Sequence, residues 1–225
     1  MNKGFYILLL FAVMLTIEAC KNNDNVFPTV TYAYVNVVNA SADTLNYYLN
    51  GTRQNDNSSL FPDGQSFYMP PIPSGKENIQ FKKSGTFNVL FSYPMILQNS
   101  VNYSLYVTGA SASGAFSTVD YLDTTGTQTG VNFGLRFVNA SPAAGTLNVS
   151  VDSTTYTNAA FKSSSSFLLY GSGPKVVQVY VGSSSTASVD TTIIFQPGHL
   201  YTLFSKGVLN GKGTAAFDVG VATNF

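Results

Sequence analysis

The chain has 225 residues, a formal net charge of zero, one histidine and one cysteine. Charged residues make up 10% of it, against about 25% in typical soluble proteins, and the sequence lacks the basic patch that nucleic-acid-binding proteins carry. Nucleic-acid partners are therefore excluded, as are zinc sites that need several histidine and cysteine ligands.

The N-terminus has the organisation of a bacterial export signal. Lys3 supplies a positive start, and an unbroken apolar run follows at residues 5–15. This run is too short to span a bilayer core, which needs about 20 residues, but it has the length of a signal-peptide core. A small residue, Ala19, then precedes Cys20.

Cys20 resembles the acylated cysteine of the bacterial lipobox. Ile17 and Ala19 occupy favoured positions of that motif, whereas Glu18 departs from it. An unpaired thiol on an exported protein needs a reason, and lipidation supplies one; the alternative is an ordinary secretory signal with a chance cysteine. The predicted N-terminal organisation is a signal peptide over 1–19, a lipidated Cys20 and a polar tether over 20–25.

After residue 25 the pattern is that of an all-β protein. Val, Thr, Tyr and Phe, which favour strands, alternate with polar residues in short segments such as 103–107 and 176–181. Clusters of Gly, Asn, Asp, Ser and Pro, for example at 50–51 and 171–174, separate these segments as turns. No segment sustains the apolar period of a helix, so we predict a β-sandwich or a barrel.

The second half of the chain repeats the first. Val38-Asn39-Ala40-Ser41 recurs 100 positions later as Val138-Asn139-Ala140-Ser141. Further matched segments are 44–46 with 146–148, 66–67 with 166–167, 79–81 with 177–179, and 103–106 with 201–204. Because loops absorb insertions, we predict two β-sandwich repeats, repeat 1 over 26–129 and repeat 2 over 130–225. A single sandwich or barrel formed by both halves is the alternative.

Segments 136–142 and 198–203 carry a resemblance to a known family. Their sequences, Arg-Phe-Val-Asn-Ala-Ser-Pro and Gly-His-Leu-Tyr-Thr-Leu, resemble the domain-of-unknown-function family numbered 4397. Segment 35–42 of repeat 1 matches more loosely, because it lacks the arginine and the proline. The resemblance covers most of the chain after the signal. It implies two tandem Ig-like antiparallel β-sandwich domains, export, often as a Gram-negative lipoprotein, and no known catalytic residues.

The repeated Asn-Ala-Ser segment predicts a corner where a strand ends. Asn39, Ser41, Asn139 and Ser141 have the kinds of side chain that bond to backbone groups in turns. Pro142 then prevents further ladder pairing in repeat 2. We therefore predict that these residues stabilise the backbone rather than bind a ligand.

The sequence offers no recognisable catalytic or metal-binding constellation. His199 lies in a Pro-Gly-His turn before a predicted strand, so it is interpreted as a turn residue and not as the base of a hydrolytic triad. Asn55-Asp56-Asn57 offers oxygen ligands for calcium but lacks the glycine and glutamate of an EF-hand loop. We therefore predict no enzyme, no cofactor and no bound metal.

Two other features are candidate sites. Segment 43–45, Asp-Thr-Leu, resembles the O-glycosylation acceptor of some Gram-negative envelopes, so Thr44 is a candidate for modification. Abundant tyrosine suggests a ligand platform, although the alternative is that tyrosines fill strand faces with their hydroxyls in water. The candidate platform for a sugar consists of Tyr47, Tyr48, Tyr68 and Tyr156. The first two adjoin in one strand, so one points inward and one outward.

These features predict a non-enzymatic binding or adhesion module with a glycan or protein ligand. We expect a lipid anchor in the membrane of a Gram-negative envelope, at the outer membrane, on its periplasmic or its surface face. The alternative is a structural, fimbrillin-like subunit of a surface assembly. Proteins of that kind are cleaved after a basic residue in the first strand, whereas no Lys or Arg occurs here between Lys21 and Arg53.

Overall fold

The computed structural model describes residues 29–55, 58–68, 70–120 and 130–224. The predicted signal, Cys20 and the tether lie outside the described residues, as does most of the predicted boundary between the repeats. Thr31–Phe225 forms one compact unit, separate from Met1–Val30, and the descriptions that follow concern the larger unit.

Almost all regular structure in the described residues is β, arranged as eight strands in each repeat. Repeat 1 contains β1 (Tyr32–Asn39), β2 (Leu45–Leu49), β3 (Thr52–Arg53), β4 (Ile72–Pro73), β5 (Gly75–Lys83), β6 (Val89–Leu97), β7 (Asn102–Thr108) and β8 (Gly114–Val119). Repeat 2 contains β9 (Asn132–Asn139), β10 (Leu147–Val151), β11 (Thr154–Ala159), β12 (Leu168–Gly171), β13 (Gly173–Val181), β14 (Val189–Phe195), β15 (Leu200–Lys206) and β16 (Asp218–Thr223). A 3₁₀ turn at Gly213–Ala215 precedes the last strand.

Each repeat folds into two four-stranded sheets with the same topology. In repeat 1 the strand orders are β3-β2-β5-β6 and β4-β1-β7-β8, and in repeat 2 they are β11-β10-β13-β14 and β12-β9-β15-β16. The predicted all-β fold with tandem sandwiches is confirmed. One pair in each repeat, β1 with β7 and β9 with β15, is parallel rather than antiparallel. A parallel pair needs a crossover connection, and the strands of the other sheet supply it.

The strand registers confirm the internal duplication. Val35 pairs with Tyr103 in β1 and β7, and Leu135 pairs with Tyr201 at the same place in β9 and β15. In the other sheet of each repeat, segment 79–81 pairs with β2 just as segment 177–179 pairs with β10. The two sequence copies therefore fold into equivalent strands.

One predicted match between the repeats is wrong by one position. The hydroxyl of Ser66 accepts a hydrogen bond from the Val37 N–H at 2.8 Å, and the hydroxyl of Ser165 accepts the equivalent bond from the Phe137 N–H at 2.9 Å. Ser66 is thus equivalent to Ser165 and not to Ser166. The connection before it is one residue shorter in repeat 2, and a run of four serines at 163–166 conceals that shift in the sequence.

Each repeat also has its own apolar core between its two sheets. Buried side chains of β1, β2, β5 and β7 fill the core of repeat 1, including Tyr47 and Phe81. The core of repeat 2 contains stacked rings of Phe133 and Phe195, whose centroids lie 4.5 Å apart. Each sequence copy therefore buries enough apolar surface to form a sandwich of its own.

A third apolar cluster joins the two repeats. Side chains of Val38, Tyr106 and Phe116 from repeat 1 pack with Val138 and Phe204 from repeat 2. The sheets that contain β1 and β9 therefore lie against each other, in the middle of a stack of four sheets. Strands that are covered on both faces show nearly continuous burial, as β7 and β9 do.

A buried polar network crosses the same junction. The Arg136 guanidinium of β9 donates to the Asp120 carboxylate, which follows β8, and to the Thr202 hydroxyl of β15 at 2.8 Å. The other Asp120 oxygen accepts from the hydroxyls of Ser104 and Tyr68, each at 2.5 Å. Burial of an ion pair is tolerated when further hydrogen bonds satisfy both partners, and this network supplies them.

Candidate functional site

A cleft of about 600 Å³ opens on repeat 1, beside the segments that follow β3 and precede β4. Cavities of about 300–1,000 Å³ are typical of small-ligand sites. The described lining residues are amides, hydroxyls and apolar groups, and none carries a formal charge. The lining consists of Gln54, Asn55, Ser58, Ser59, Leu60, Gln65, Ser66, Phe67 and Pro70.

One wall of the cleft is a loop that repeat 2 does not have. Leu49 pairs with Thr52 and Leu45 with Leu60, just as Val151 pairs with Thr154 and Leu147 with Ala159. The step from Thr52 to Leu60 is eight positions, whereas the step from Thr154 to Ala159 is five. Repeat 1 therefore carries three additional residues at this wall.

Asn55 fixes the start of this loop against the sheet. Its side-chain oxygen accepts from the Tyr47 N–H at 3.0 Å. Its amide nitrogen donates to the Asn46 side chain at 2.9 Å and to the Ser58 carbonyl at 2.8 Å. With donors and acceptor in use, Asn55 is a structural part of the wall. Asp56 and Asn57, the other two members of the calcium-like segment, lie outside the described residues.

The opposite wall presents an aromatic ring on strained backbone. Phe67 is 62% exposed, and both Phe67 and Tyr68 have positive φ values, 52° and 61°. Positive φ in bulky residues is rare and costs about 1–3 kcal/mol per residue, so the surrounding structure must hold it. The buried Asn36 side chain accepts from the Phe67 N–H at 3.0 Å, and the Tyr68 hydroxyl is held by Asp120. The backbone that carries the exposed Phe67 ring is therefore held in place beside the cleft.

The exposed rings of this region are specific to repeat 1. The Gly64 N–H donates to the Phe61 carbonyl as the Ser163 N–H donates to the Ala160 carbonyl. This equivalence puts Ala160 where repeat 1 has Phe61, which is 63% exposed. Beyond Ser66 and Ser165 this register ends, because Ile72 follows Ser66 by six positions whereas its counterpart Tyr170 follows Ser165 by five. The nearby Phe167 of repeat 2 is half-buried, with the Arg136 guanidinium 4.9 Å from its ring centre, whereas Phe67 is exposed. The two copies share a scaffold but not this aromatic surface.

Two glutamines of the lining keep hydrogen-bonding capacity. The Gln65 side-chain oxygen accepts from the Asn36 amide at 3.3 Å, which leaves the Gln65 amide nitrogen without an acceptor among the described residues. The Gln54 amide nitrogen donates to the Thr52 carbonyl at 3.0 Å. Its amide oxygen has no donor in that same part of the chain. The cleft thus offers one amide donor and one amide acceptor to a ligand.

The tyrosines predicted as a ligand platform do not come together, and that prediction is wrong. Tyr47 is 1% exposed and Tyr156 is 7% exposed, and each belongs to the core of a different repeat. Tyr68 is held in the junction network, while Tyr48 faces outward with the Lys82 ammonium 4.3 Å from its ring centre. Strand alternation places Tyr47 inward and Tyr48 outward, as predicted. Burial of apolar ring area accounts for the inward tyrosines.

The two predicted modification sites are Thr44 and Cys20. Thr44 is half-buried, and its carbonyl accepts from the Ser84 N–H at 2.8 Å. The preceding Asp43 is buried and accepts hydrogen bonds from Lys83 and Ser111, both at 2.7 Å. O-glycosylation of Thr44 stays a prediction, and Cys20 lies outside the described residues.

The Asn-Ala-Ser segments are confirmed as backbone corners. The Asn39 amide donates to the carbonyls of Asp43 and Leu60, and the Asn139 amide donates to those of Gly145 and Ala159. Each asparagine oxygen also accepts from the N–H two residues later, in Ser41 and Ser141. Both amides are completely buried, so they are not available to a ligand.

His199 occupies the turn before β15, as predicted. Its carbonyl accepts from the Gly134 N–H at 2.9 Å, and its ring centre lies 5.7 Å from that of Tyr201. Within the described residues, no three side chains of the kinds that ligate metals are grouped together. That part of the chain also has no helix of the length and apolarity that a membrane span requires.

The described residues form two tandem β-sandwiches that share a junction, with a cleft of uncharged described lining on the first, and this architecture defines a double-sandwich protein. The chain belongs to the DUF4397 family, a domain of unknown function whose family model matches residues 33–150 and 133–222. The two matches overlap, in agreement with a tandem repeat. No curated protein matches the chain in sequence.

Proposed function

We propose that the protein is a non-enzymatic binding module of the bacterial envelope and that the cleft of repeat 1 is its ligand site. The observation that carries this proposal is the difference between two otherwise equivalent repeats. Repeat 1 has the inserted loop and the exposed Phe61 and Phe67, where repeat 2 has a shorter connection, Ala160 and the half-buried Phe167. Exposed rings and strained backbone both cost stability, and a ligand site gives a reason to keep them.

The chemistry of the lining supports binding rather than catalysis. General acid–base catalysis uses groups that titrate near neutral pH. The described lining residues instead offer neutral amides, hydroxyls and one aromatic face. Such groups orient a ligand through hydrogen bonds and apolar contact, as in most small-molecule sites.

The proposed location follows from the N-terminal sequence. A signal peptide over 1–19 directs export, and an acylated Cys20 attaches the mature chain to the outer membrane. More than one acyl chain is what stable anchoring requires. The double sandwich then presents the cleft to the periplasm or to the cell exterior.

The anchor is tested in a Gram-negative host that expresses the full chain. We expect wild type to incorporate radioactive palmitate and to fractionate with membranes, and the Cys20→Ala variant to do neither. Label in Cys20→Ala would exclude this attachment point.

The ligand site is tested with full-length protein purified in detergent and screened on immobilised glycans, collagen and fibronectin. Gln65→Ala is compared with Ser164→Ala, which is the equivalent position in repeat 2. Gln65 forms an isolated antiparallel β-bridge with Val38, and Ser164 forms the same bridge with Val138. We expect a bound ligand to be lost only in Gln65→Ala. A ligand retained equally by both variants would place the site elsewhere.

A further inference from the structure

We infer that the repeat-1 cleft binds a neutral saccharide, with one pyranose ring stacked on Phe67 and its hydroxyl groups bonded to Gln54 and Gln65. This inference rests on the proposed function and specifies the ligand of the same site.

The described lining of the cleft offers no charged partner to an ionic ligand. Every described lining residue is uncharged. Arg53, which adjoins Gln54 in sequence, donates to the Ser58 carbonyl at 2.8 Å and thereby supports the wall. A phosphate, sulfate or carboxylate ligand would give up water without gaining a counter-charge from the lining, which is unfavourable. A ligand with many hydroxyls and no charge meets no such penalty.

The polar groups of the cleft match the hydroxyls of a sugar. A hydroxyl group both donates and accepts hydrogen bonds. The Gln65 amide nitrogen supplies a donor, and the Gln54 amide oxygen supplies an acceptor, because their other side-chain atoms bond to Asn36 and Thr52. One sugar hydroxyl can therefore accept from Gln65 and another can donate to Gln54.

Phe67 supplies the apolar contact that sugar rings need. The face of an aromatic ring carries partial negative charge, and the C–H groups on one face of a pyranose carry partial positive charge. Phe67 is 62% exposed and its backbone is held at a φ of 52° by the bond from its N–H to Asn36. Because this backbone is held before binding, less conformational entropy is lost when a ligand stacks on the ring.

The test measures binding of neutral oligosaccharides to full-length protein in detergent micelles. The probes are gluco-, galacto-, manno-, xylo- and N-acetylglucosamine oligomers, with polygalacturonate and heparin fragments as charged counterparts. We expect a neutral oligomer to bind, and its affinity to stay within about twofold between low salt and about 0.5 M NaCl, because charge screening affects ionic contacts. Binding of the charged fragments alone would overturn the inference.

Variants then separate stacking from folding. We expect Phe67→Ala to weaken the saccharide roughly tenfold, as for the loss of one aromatic contact, and Phe67→Tyr to retain the affinity within about twofold. Ser166→Ala, at an exposed position of repeat 2, is a surface control and is expected to bind like wild type. If Phe67→Ala melts far below wild type, the test rests on the other two variants, because Gln65→Ala leaves the ring in place. Retained affinity in Phe67→Tyr and lost affinity in Gln65→Ala would support the inference.

The failures of the two proposals are distinguishable. If no neutral saccharide binds but a protein ligand is lost in Gln65→Ala and Phe67→Ala, the saccharide is wrong and the ligand site stands. If a saccharide binds equally to wild type and to both variants, the site itself is wrong. If EDTA abolishes saccharide binding and calcium restores it, a bound cation holds the sugar and the amide contacts described above are wrong.

Discussion

The guanidinium of Arg136 in repeat 2 donates directly to the carboxylate of Asp120 in repeat 1. The side chains are only 4% and 1% exposed. Taking two charges out of water is costly, and their attraction offsets the cost only when other hydrogen bonds complete the site. The hydroxyls of Ser104 and Tyr68 donate further hydrogen bonds to Asp120, and the Thr202 hydroxyl accepts one from Arg136. The pair therefore fixes one arrangement of the two repeats.

We predict that Asp120→Ala lowers the free energy of unfolding by about 3–5 kcal/mol, because Arg136 is left as an unpaired buried cation. The measurement is chemical denaturation of the full-length protein. Asp190→Ala is the control, since Asp190 is exposed and its carboxylate accepts from Gln178 at the surface; it is expected to cost less than about 1 kcal/mol. Equal denaturation midpoints for the two variants would refute a junction held by this pair.

Gly220 of β16 leaves space for the ring of Phe204 at the same junction. A methyl group on Gly220 would overlap that ring, which is completely buried. We predict that Gly220→Ala costs about 1–3 kcal/mol through overpacking. Gly114 of β8 has open space around its Cα, so Gly114→Ala is a control with a small effect. The comparison uses thermal melting, and a melting temperature of Gly220→Ala at or above that of Gly114→Ala would show that the junction is loosely packed.

Asp43 makes the stability depend on acid pH. Burial raises the pKa of the Asp43 carboxyl, but hydrogen bonds from Lys83, the Ala112 N–H and Ser111 outweigh burial and hold the pKa below its ordinary value of 3.8. A carboxyl with a lowered pKa stabilises the fold above its unfolded pKa, and this contribution is lost as pH falls through the folded pKa. We predict a steeper loss of melting temperature below pH 3.8 in wild type than in Asp43→Asn. Parallel curves for the two proteins would contradict this role.

Tyr68 links the junction to the cleft, since its hydroxyl donates to Asp120 while the adjacent Phe67 lines the site. We predict that Tyr68→Phe costs about 1–3 kcal/mol, because a buried carboxylate oxygen loses a donor, and that it also weakens saccharide binding. Tyr48→Phe is the control, since Tyr48 lies on an outward strand face. Calorimetric titration measures the saccharide affinity, and chemical denaturation measures the free energy of unfolding. Unchanged affinity in a destabilised Tyr68→Phe protein would mean that the cleft does not depend on the junction.

Local patterns in the sequence predicted the strands, the duplication and the corners. Alternation and turn residues act over a few positions, so they predict strands and turns directly. The repeated segments predict the equivalence of Val35 and Leu135, and the strand registers confirm it. The Asn-Ala-Ser corners follow from side chains that bond to backbone within a few residues. His199 is placed correctly in a turn for the same local reason.

The cleft was missed because its signal lies in a difference between the repeats. The step from Thr52 to Leu60 is longer than its counterpart, and Phe61 stands where repeat 2 has Ala160. An alignment of the two copies through Ser66 and Ser165, rather than Ser166, would have shown both differences. The prediction of a tyrosine platform was wrong because residue type alone does not show which face of a strand is buried. Tyr47, for example, lies in the core of repeat 1.

The all-β class, the tandem organisation and the family follow from the sequence, because they depend on short-range alternation and on the repetition of whole strands. The face-to-face contact of the two inner sheets is visible only in the folded protein. That contact buries Arg136 with Asp120, while Phe67 lines a cleft whose other described residues are uncharged. Local sequence does not show which strands cover the second face of a sheet or which buried charges pair there, because the partners are far apart in the chain.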